Sequence, residues 1–222
     1  MNTSPGTGAP SPENGRTHGR RSMELQKEVL RRKFLQLRDA LSPEERRLKD
    51  ALIRERFLSW QGFKRASTVF FYCSKGSEVD TRSLVSEALS QSKRVVLPQT
   101  LDKRGLTARQ IRHLTEDCRL GAFGILEPKL SMPAVSEAEI DLFVIPGAAF
   151  DLSGTRLGWG KGYFDQYLAG ISSSSIKTAL AYEVQVYPAL PIQEHDVRMN
   201  VLITEKRILT FGKIEPKLKM EK

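Results

Sequence analysis

Between Arg156 and Asp165 the chain reads RLGWGKGYFD: glycines alternate at 158, 160 and 162, two cations flank them, and two aromatics and a carboxylate follow at once. Glycines without Cβ let successive backbone N–H groups close around an oxyanion, and a helix starting there adds unpaired donors and the positive end of its dipole. Arg156 and Lys161 would neutralise the charge such an anion brings. Three glycines also serve a tight turn that holds no ligand. The run IDLFVIPG just before reads as a strand, and ligands of open α/β sheets collect beyond strand carboxyl ends, which favours the anion site. Two common nucleotide loops are excluded by spacing: a Walker loop needs Lys-Ser/Thr after four intervening residues, and a dinucleotide fingerprint sets its third glycine one residue later. Tyr163 and Phe164 follow Gly162 instead, suited either to stacking on a flat heterocycle or to starting the core face of a helix.

Other residue groups have the right types for the same chemistry. Lys27 and Arg31 stand one helical turn apart, read as lying away from a Leu30/Phe34/Leu37 stripe, so they either clamp a polyphosphate or form a solvated face. Ser77-Glu78-Val79-Asp80-Thr81 follows the strand-like TVFFYC; Glu78 would meet a substrate there, and Asp80 or Thr81 would cap a helix. Glu194-His195-Asp196 is too sparse for a transition-metal site, and Asp196 suits assisting Mg²⁺ better than binding zinc.

These residues need elements to position them. Apolar Leu30, Phe34, Leu37 and Leu41 recur at helical steps, predicting a helix over Glu24 to Leu41, widened by Leu25 and Val29. Ser42-Pro43-Glu44-Glu45 then reads as a capping box opening a second helix to about Ser59. Beyond Gly62 come short β-branched and aromatic runs: 68–72, 94–97, 142–145, 178–181 and 201–204, with 107–113 as an additional strand. Helices over 81–90 and 162–169 alternate with them, the pattern of an α/β layered sheet whose strands are covered on both faces. Residues 1–22, rich in Gly, Pro, Ser and Asn, read as a disordered extension, leaving 23–222 as a single α/β domain.

With 222 residues, 40% of them hydrophobic, the chain can bury one full core. Its charge of +9 is uneven: residues 20–65 hold 14 Lys+Arg against 7 Asp+Glu, whereas 66–205, which include the glycine loop, hold 14 against 16. Basic helices of this kind fit nucleic acid, an anionic small molecule or a solvated face. Cys73 and Cys118 cannot make a disulfide framework, and no apolar run reaches the length of a membrane span. Without the apolar core of a secretory signal or the pattern of a transit peptide, the expected protein is soluble and intracellular, with the cytoplasm as its compartment.

Taken together, VIPGAAFDLSGTRLGWGKGYFDQYL, ALAYEVQ…LPIQEHD, YCSKGSEVDT, FGILEP and the N-terminal KEVLRRKFLQLRDALSPEER resemble, in order, the 5-formyltetrahydrofolate cyclo-ligases, over about residues 24–209. The resemblance implies a three-layer α/β/α sandwich with a mostly parallel sheet, shared with sugar-phosphate isomerases and CoA transferases. It implies cyclisation of 5-formyltetrahydrofolate with MgATP to 5,10-methenyltetrahydrofolate, ADP and phosphate, through phosphorylation of the formyl oxygen. ATP contacts then fall on Lys27, Arg31 and the loop Arg156, Leu157, Gly158, Trp159, Gly160, Lys161, Gly162, Tyr163 and Phe164. Folate contacts fall on Glu78, Phe123, Trp159 and Tyr163; Mg²⁺ carboxylates on Asp165 and Asp196; Lys161, Arg156 and Glu78 carry catalysis. Phe164 replaces a Tyr and Asn200 an Asp of the family pattern. No protein partner or membrane is implied. Two other classes fit parts of the sequence: another ATP-dependent small-molecule kinase or ligase on the same scaffold, and, on charge alone, a nucleic-acid-binding protein.

Overall fold

Ser42 starts a helix as its spacing predicts: its hydroxyl accepts the Glu45 N–H at 3.1 Å while the Glu45 carboxylate accepts the Ser42 N–H at 2.8 Å. The computed structural model describes residues 12–101, 105–121, 124–172, 175–193 and 196–212. Its helices are α1 (Pro12–Asp39), α2 (Pro43–Ser59), α3 (Gln61–Arg65), α4 (Arg82–Ser90) and α5 (Tyr163–Ala169). Helix α1 differs from the expected boundary, because 12–22, read as part of an extension, continue its backbone. Once the packed part of a helix has nucleated, each further residue adds a hydrogen bond without needing a core of its own.

The strands are β1 (Thr68–Phe70), β2 (Arg94–Thr100), β3 (Leu106–Ile111), β4 (Cys118–Leu120), β5 (Leu126–Pro128), β6 (Leu142–Ile145), β7 (Ala149–Asp151), β8 (Arg156–Leu157), β9 (Ile176–Leu180), β10 (Val186–Tyr187), β11 (Val201–Ile203) and β12 (Ile208–Thr210). A seven-stranded sheet runs β12-β11-β9-β6-β1-β2-β3. Its inner pairs are parallel and its two edge strands antiparallel. Neighbouring residues of one strand face opposite cores, the period-2 rule of a pleated strand. Leu142 and Val144 join Ile53, Phe57 and Leu84 of the helices on one face. Phe143 and Ile145 join Tyr167 and Leu168 of α5 on the other. The expected helix–sheet–helix layering and mostly parallel sheet are therefore present. Phe57 lies 4.8 Å from Phe63 and 5.9 Å from Phe71, ring to ring; emptying such a buried aromatic position costs about 3–5 kcal/mol.

Two features of this layout place the site. Strand β1 pairs with β2 on one side and β6 on the other, so the chain switches direction between β1 and β6 and leaves a crevice beyond their carboxyl ends. A small sheet, β10-β7-β8, stands beside that crevice. Helix α1 rests on it through Phe34 and Leu30, which pack with Ala149, Leu157, Leu190 and Tyr187. The glycine loop leaves the end of β8, so the helix carrying Lys27 and Arg31 lies next to it. Among the described residues no helix is long and apolar enough to cross a membrane.

Candidate active site

A cleft of about 460 Å³ opens at the β1/β6 switch point. Its walls come from the loop after β1 (Tyr72 to Glu78), Pro98 and Thr100 of β2, Ile125 and Glu127 by β5, Pro146 after β6, and the Arg156 to Asp165 segment; α1 contributes Arg38 and Asp39.

The turn that launches the glycine loop is built by an aspartate. Asp151 Oδ1 accepts from Ser153 N and Oγ at 2.8 Å and Thr155 N at 2.9 Å, while Oδ2 accepts from Leu190 N at 2.9 Å. Burial pushes this carboxyl up, but the four hydrogen bonds together hold it below its usual range. Gly147 makes room for the next residue of the site: a Cβ there would stand 2.6 Å from the Phe150 ring and 3.1 Å from Arg156. Arg156 enters this space, donates from Nη1 to the Pro146 carbonyl at 3.1 Å, and ion-pairs through Nη2 with Asp165. Its charge, expected to meet a phosphate, is thus matched inside the protein, and the carboxylate expected to meet Mg²⁺ is the one that matches it.

Beyond buried Leu157, Gly160 and Gly162 take left-handed φ values of 87° and 75°, and Gly162 caps α5. Trp159, Lys161, Tyr163 and Phe164 all line the cleft. Phe164 also packs edge-on to Phe70, centroids 6.5 Å apart, so it serves the core as well as the cleft. Lys27 and Arg31 approach this loop from outside the cleft wall. Arg31 donates from Nε to the Gly158 carbonyl at 2.8 Å, whereas Lys27 donates to Asp196 at 2.5 Å and to Gln193 at 3.0 Å. The expectation that the pair projects away from the apolar stripe does not hold. The inward face is Lys27, Arg31, Phe34 and Arg38, and Leu25, Val29 and Leu37 are 58%, 67% and 42% exposed. The glycine loop offers polar acceptors to the helix, so cations bury on this face while aliphatic residues point to solvent.

Across the cleft, Glu78 accepts the Lys75 N–H at 2.9 Å and the Trp159 indole N–H at 3.2 Å. Burial raises its pKa, opposed by the Lys75 hydrogen bond, the charge of Arg38 and the Trp159 bond. Its loop is fixed from behind. Thr81 bonds the Tyr72 carbonyl and Ser74 N at 2.6 and 3.0 Å, while Asp50 of α2 accepts from Tyr182 OH at 2.8 Å and Asp80 N at 3.3 Å. Of the two expected caps, Thr81 occupies the N-cap position of α4 without a side-chain cap bond, while Asp80, one residue earlier, accepts the Arg82 N–H at 3.0 Å. Phe123 lies outside the described residues.

Sequence reasoning missed several residues of the wall, among them Arg38 and Glu127. Arg38 continues the Lys27-Arg31-Phe34 spacing by one more step of four, a signal visible once the inward face is known to be basic. Glu127, buried inside FGILEP, accepts from Thr100 Oγ1 at 2.7 Å and Thr100 N at 3.2 Å. Gly121 leaves its place open, since a Cβ there would fall 2.4 Å from the Glu127 carboxyl carbon. No local pattern announces that pairing.

Among the described residues no three His, Cys, Asp or Glu side chains gather into a metal cage. A Mg²⁺ that travels with a nucleotide needs only one or two protein carboxylates, the phosphates and water filling the rest. Asp165, on the cleft wall, fits that donor set; Asp196, held by Lys27 off the wall, does not as it stands.

The same order of motifs and elements occurs in known proteins. A sequence model of the 5-formyltetrahydrofolate cyclo-ligase family matches residues 23–205. The 5-formyltetrahydrofolate cyclo-ligase of Mus musculus is 28% identical over 81% of this chain and 93% of its own length. That of Mycolicibacterium smegmatis is 30% identical over 78% and 93%. Among solved structures, the 5,10-methenyltetrahydrofolate synthetase of Aquifex aeolicus superposes with a TM-score of 0.75 at 34% identity, covering 88% of this chain and 99% of that one. The Mycoplasma pneumoniae synthetase, at 24% identity and a TM-score of 0.65, shares the fold.

Proposed function

The chain belongs to the 5-formyltetrahydrofolate cyclo-ligase family, and on that footing we propose that it uses ATP to close 5-formyltetrahydrofolate into 5,10-methenyltetrahydrofolate, releasing ADP and phosphate. The observation that carries the reading is the cleft itself. One wall is a glycine loop with Lys161 and the other carries a half-buried carboxylate, Glu78, to which Trp159 is bonded across the cleft.

The formyl oxygen attacks the γ-phosphorus, the phosphoryl bond to ADP breaks with its electrons on ADP, and N10 closes on the activated formyl carbon as phosphate and a proton leave. An amide oxygen needs no deprotonation, so the work of the protein is positioning and neutralising charge. Backbone N–H groups of Gly160 to Gly162 and the Lys161 ammonium serve the phosphates, with Arg31 bracing the loop through the Gly158 carbonyl. Glu78 serves the N–H edge of the reduced pterin, and Trp159 and Tyr163 flank its ring. Arg156 acts through Asp165, keeping that carboxylate at the wall. Mg²⁺, held on the protein side by Asp165, would supply further charge neutralisation at the phosphates, and Asp196 would join only on release from Lys27. The free, buried thiols of Cys73 and Cys118 suit a reducing compartment, and the reading places the protein in the cytoplasm.

Purified protein mixed with MgATP and 5-formyltetrahydrofolate should develop the near-ultraviolet band of the methenyl product, with one ADP per product. No band, with ATP left intact, sinks the proposal.

A further inference from the structure

Arg38 stands in the cleft wall with its charge unmatched. It ends the inward face of α1, is 3% exposed, and lines the cleft beside Ser77, Glu78 and Trp159. Its Nε donates to Ser77 Oγ at 2.9 Å, and its guanidinium carbon lies 5.0 Å from the Trp159 ring centroid. Among the described residues no carboxylate forms an ion pair with it, and neither Nη meets a hydrogen-bond acceptor. The neighbouring buried cations differ: Lys27 is matched by Asp196 and Arg156 by Asp165. At 3% exposure the Arg38 guanidinium has lost most of its hydration and the Trp159 face returns only part of that cost, while its two Nη groups, which are not among the buried polar atoms left without a partner, open onto the cleft. Glu78 lowers the potential around it without touching it. An anion entering the cleft offsets the remainder, and the planar fork of two Nη groups suits phosphoryl oxygens.

The position selects among the anions of the reaction. A glutamate tail of the folate would extend out of the cleft, whereas Arg38 is 3% exposed and lines the cleft beside Glu78, the carboxylate assigned to the pterin. The anion met there is the one at the reacting centre. We propose that Arg38 is a catalytic residue, its two Nη groups donating to the phosphoryl group in flight between nucleotide and formyl oxygen. This inference rests on the cyclo-ligase reading. In that step the formyl oxygen forms the new bond to phosphorus, and the bond from phosphorus to the bridging oxygen breaks with its electrons on ADP. Arg38 makes and breaks no covalent bond. It neutralises the charge on the equatorial oxygens, with Ser77 and the Trp159 ring holding its plane.

The test compares wild type, Arg38→Ala and Arg38→Lys in the methenyl-product assay, with binding of a non-hydrolysable ATP analogue and thermal melting measured on each. Wild type must form the product; if it does not, the cyclo-ligase reading fails and not the assignment of Arg38. With wild type active, Arg38→Ala should lower kcat about 100-fold or more, the usual loss for one preorganised donor set, with analogue affinity little changed. Arg38→Lys, a point charge without the fork, should fall between, and added guanidinium ion should restore part of the Arg38→Ala turnover. A kcat kept near wild type, with only a raised KM for the folate or a lowered melting temperature, overturns the proposal and leaves Arg38 as a support for Ser77 and Trp159. If Arg38→Ala does not fold, Arg38→Lys decides alone: full kcat overturns the proposal, and at least a tenfold loss with intact analogue binding upholds it.

Discussion

Lys27 and Asp196, 169 residues apart, form an ion pair at 2.5 Å in which the side chains keep only 8% and 10% of their exposure. Asp196 Oδ2 also accepts the Gln193 N–H at 2.8 Å, so one oxygen ties α1 to the loop before β11. Removing one partner of a buried pair strands the other charge. Lys27→Met should therefore cost about 3 kcal/mol in urea unfolding, and the double variant Lys27→Met/Asp196→Asn should recover much of that loss. Equal losses in the single and double variants would show that the pair is already solvated.

Glu78 supplies a pH dependence with a definite sign. Burial raises its folded pKa above the ordinary 4.5, so below that value it is protonated in both folded and unfolded chains and costs nothing. Between 4.5 and the elevated folded value the folded chain holds the proton that the unfolded chain releases, so stability falls across that window as this half-buried carboxylate is forced to ionise. Glu78→Gln should consequently be more stable than wild type at pH 7, with the advantage disappearing toward pH 4, as read by urea unfolding at the two pH values. The same substitution should raise KM for the folate while leaving that for MgATP nearly unchanged. A variant less stable at pH 7 than at pH 4, relative to wild type, contradicts the assignment.

Cys73 lines the cleft, yet burial pushes its thiol up to about 12 and that of Cys118 to about 11. Thiolate is the reactive form, so both should resist iodoacetamide at pH 7.5 in the native protein and react fully in urea. Rapid loss of one thiol without unfolding would place it in a more open setting than the structure gives.

How much could be read beforehand depended on whether the signal was local. The capping box at Ser42 and Glu45 and the strands 142–145 and 201–203 are fixed by neighbours in sequence, and they stand within a residue of where the spacing puts them. The glycine turn was legible for a similar reason, since the positive φ of Gly160 and Gly162 is a conformation that glycine reaches without steric cost. The partners of its charges were not. That Lys27 faces Asp196 follows from how α1 lies on the β10-β7-β8 sheet, a long-range consequence of Phe34 and Leu157 packing together, and that Arg156 faces Asp165 depends on how the glycine loop folds α5 back against β8. The short strands β4, β5, β7, β8 and β10 escaped because runs of two or three residues carry no periodicity. Glu127 was invisible because only the absence of a Cβ at Gly121 makes its place.

Lys161 is exposed on the loop, between two glycines. Lys161→Ala should leave the melting temperature nearly unchanged, as surface changes do, and raise KM for MgATP about tenfold or more, the loss of one charged phosphate contact. An unfolded variant with unchanged nucleotide affinity per folded molecule would instead make Lys161 a structural residue.

Gly160 and Gly162 allow the loop's backbone strain to be separated from its packing. Both have left-handed φ, 87° and 75°, so a side chain at either costs about 1–2 kcal/mol in backbone strain. Their surroundings differ. A Cβ at Gly162 meets nothing within 4 Å, whereas at Gly160 it would stand 3.1 to 3.4 Å from the Arg31 guanidinium carbon and nitrogens. Gly162→Ala should therefore show the conformational cost alone, with Arg31 still bonded to the Gly158 carbonyl. Gly160→Ala should add displacement of Arg31 and so lose nucleotide affinity beyond its loss of stability. Paired measurements of urea unfolding and ATP-analogue binding separate the two effects: if both variants weaken binding in proportion to their destabilisation, Arg31 is not a brace for the phosphate loop. A selective loss in Gly160→Ala, matched by Arg31→Ala and not made worse by combining the two, establishes that the α1 cation holds the loop in its binding geometry.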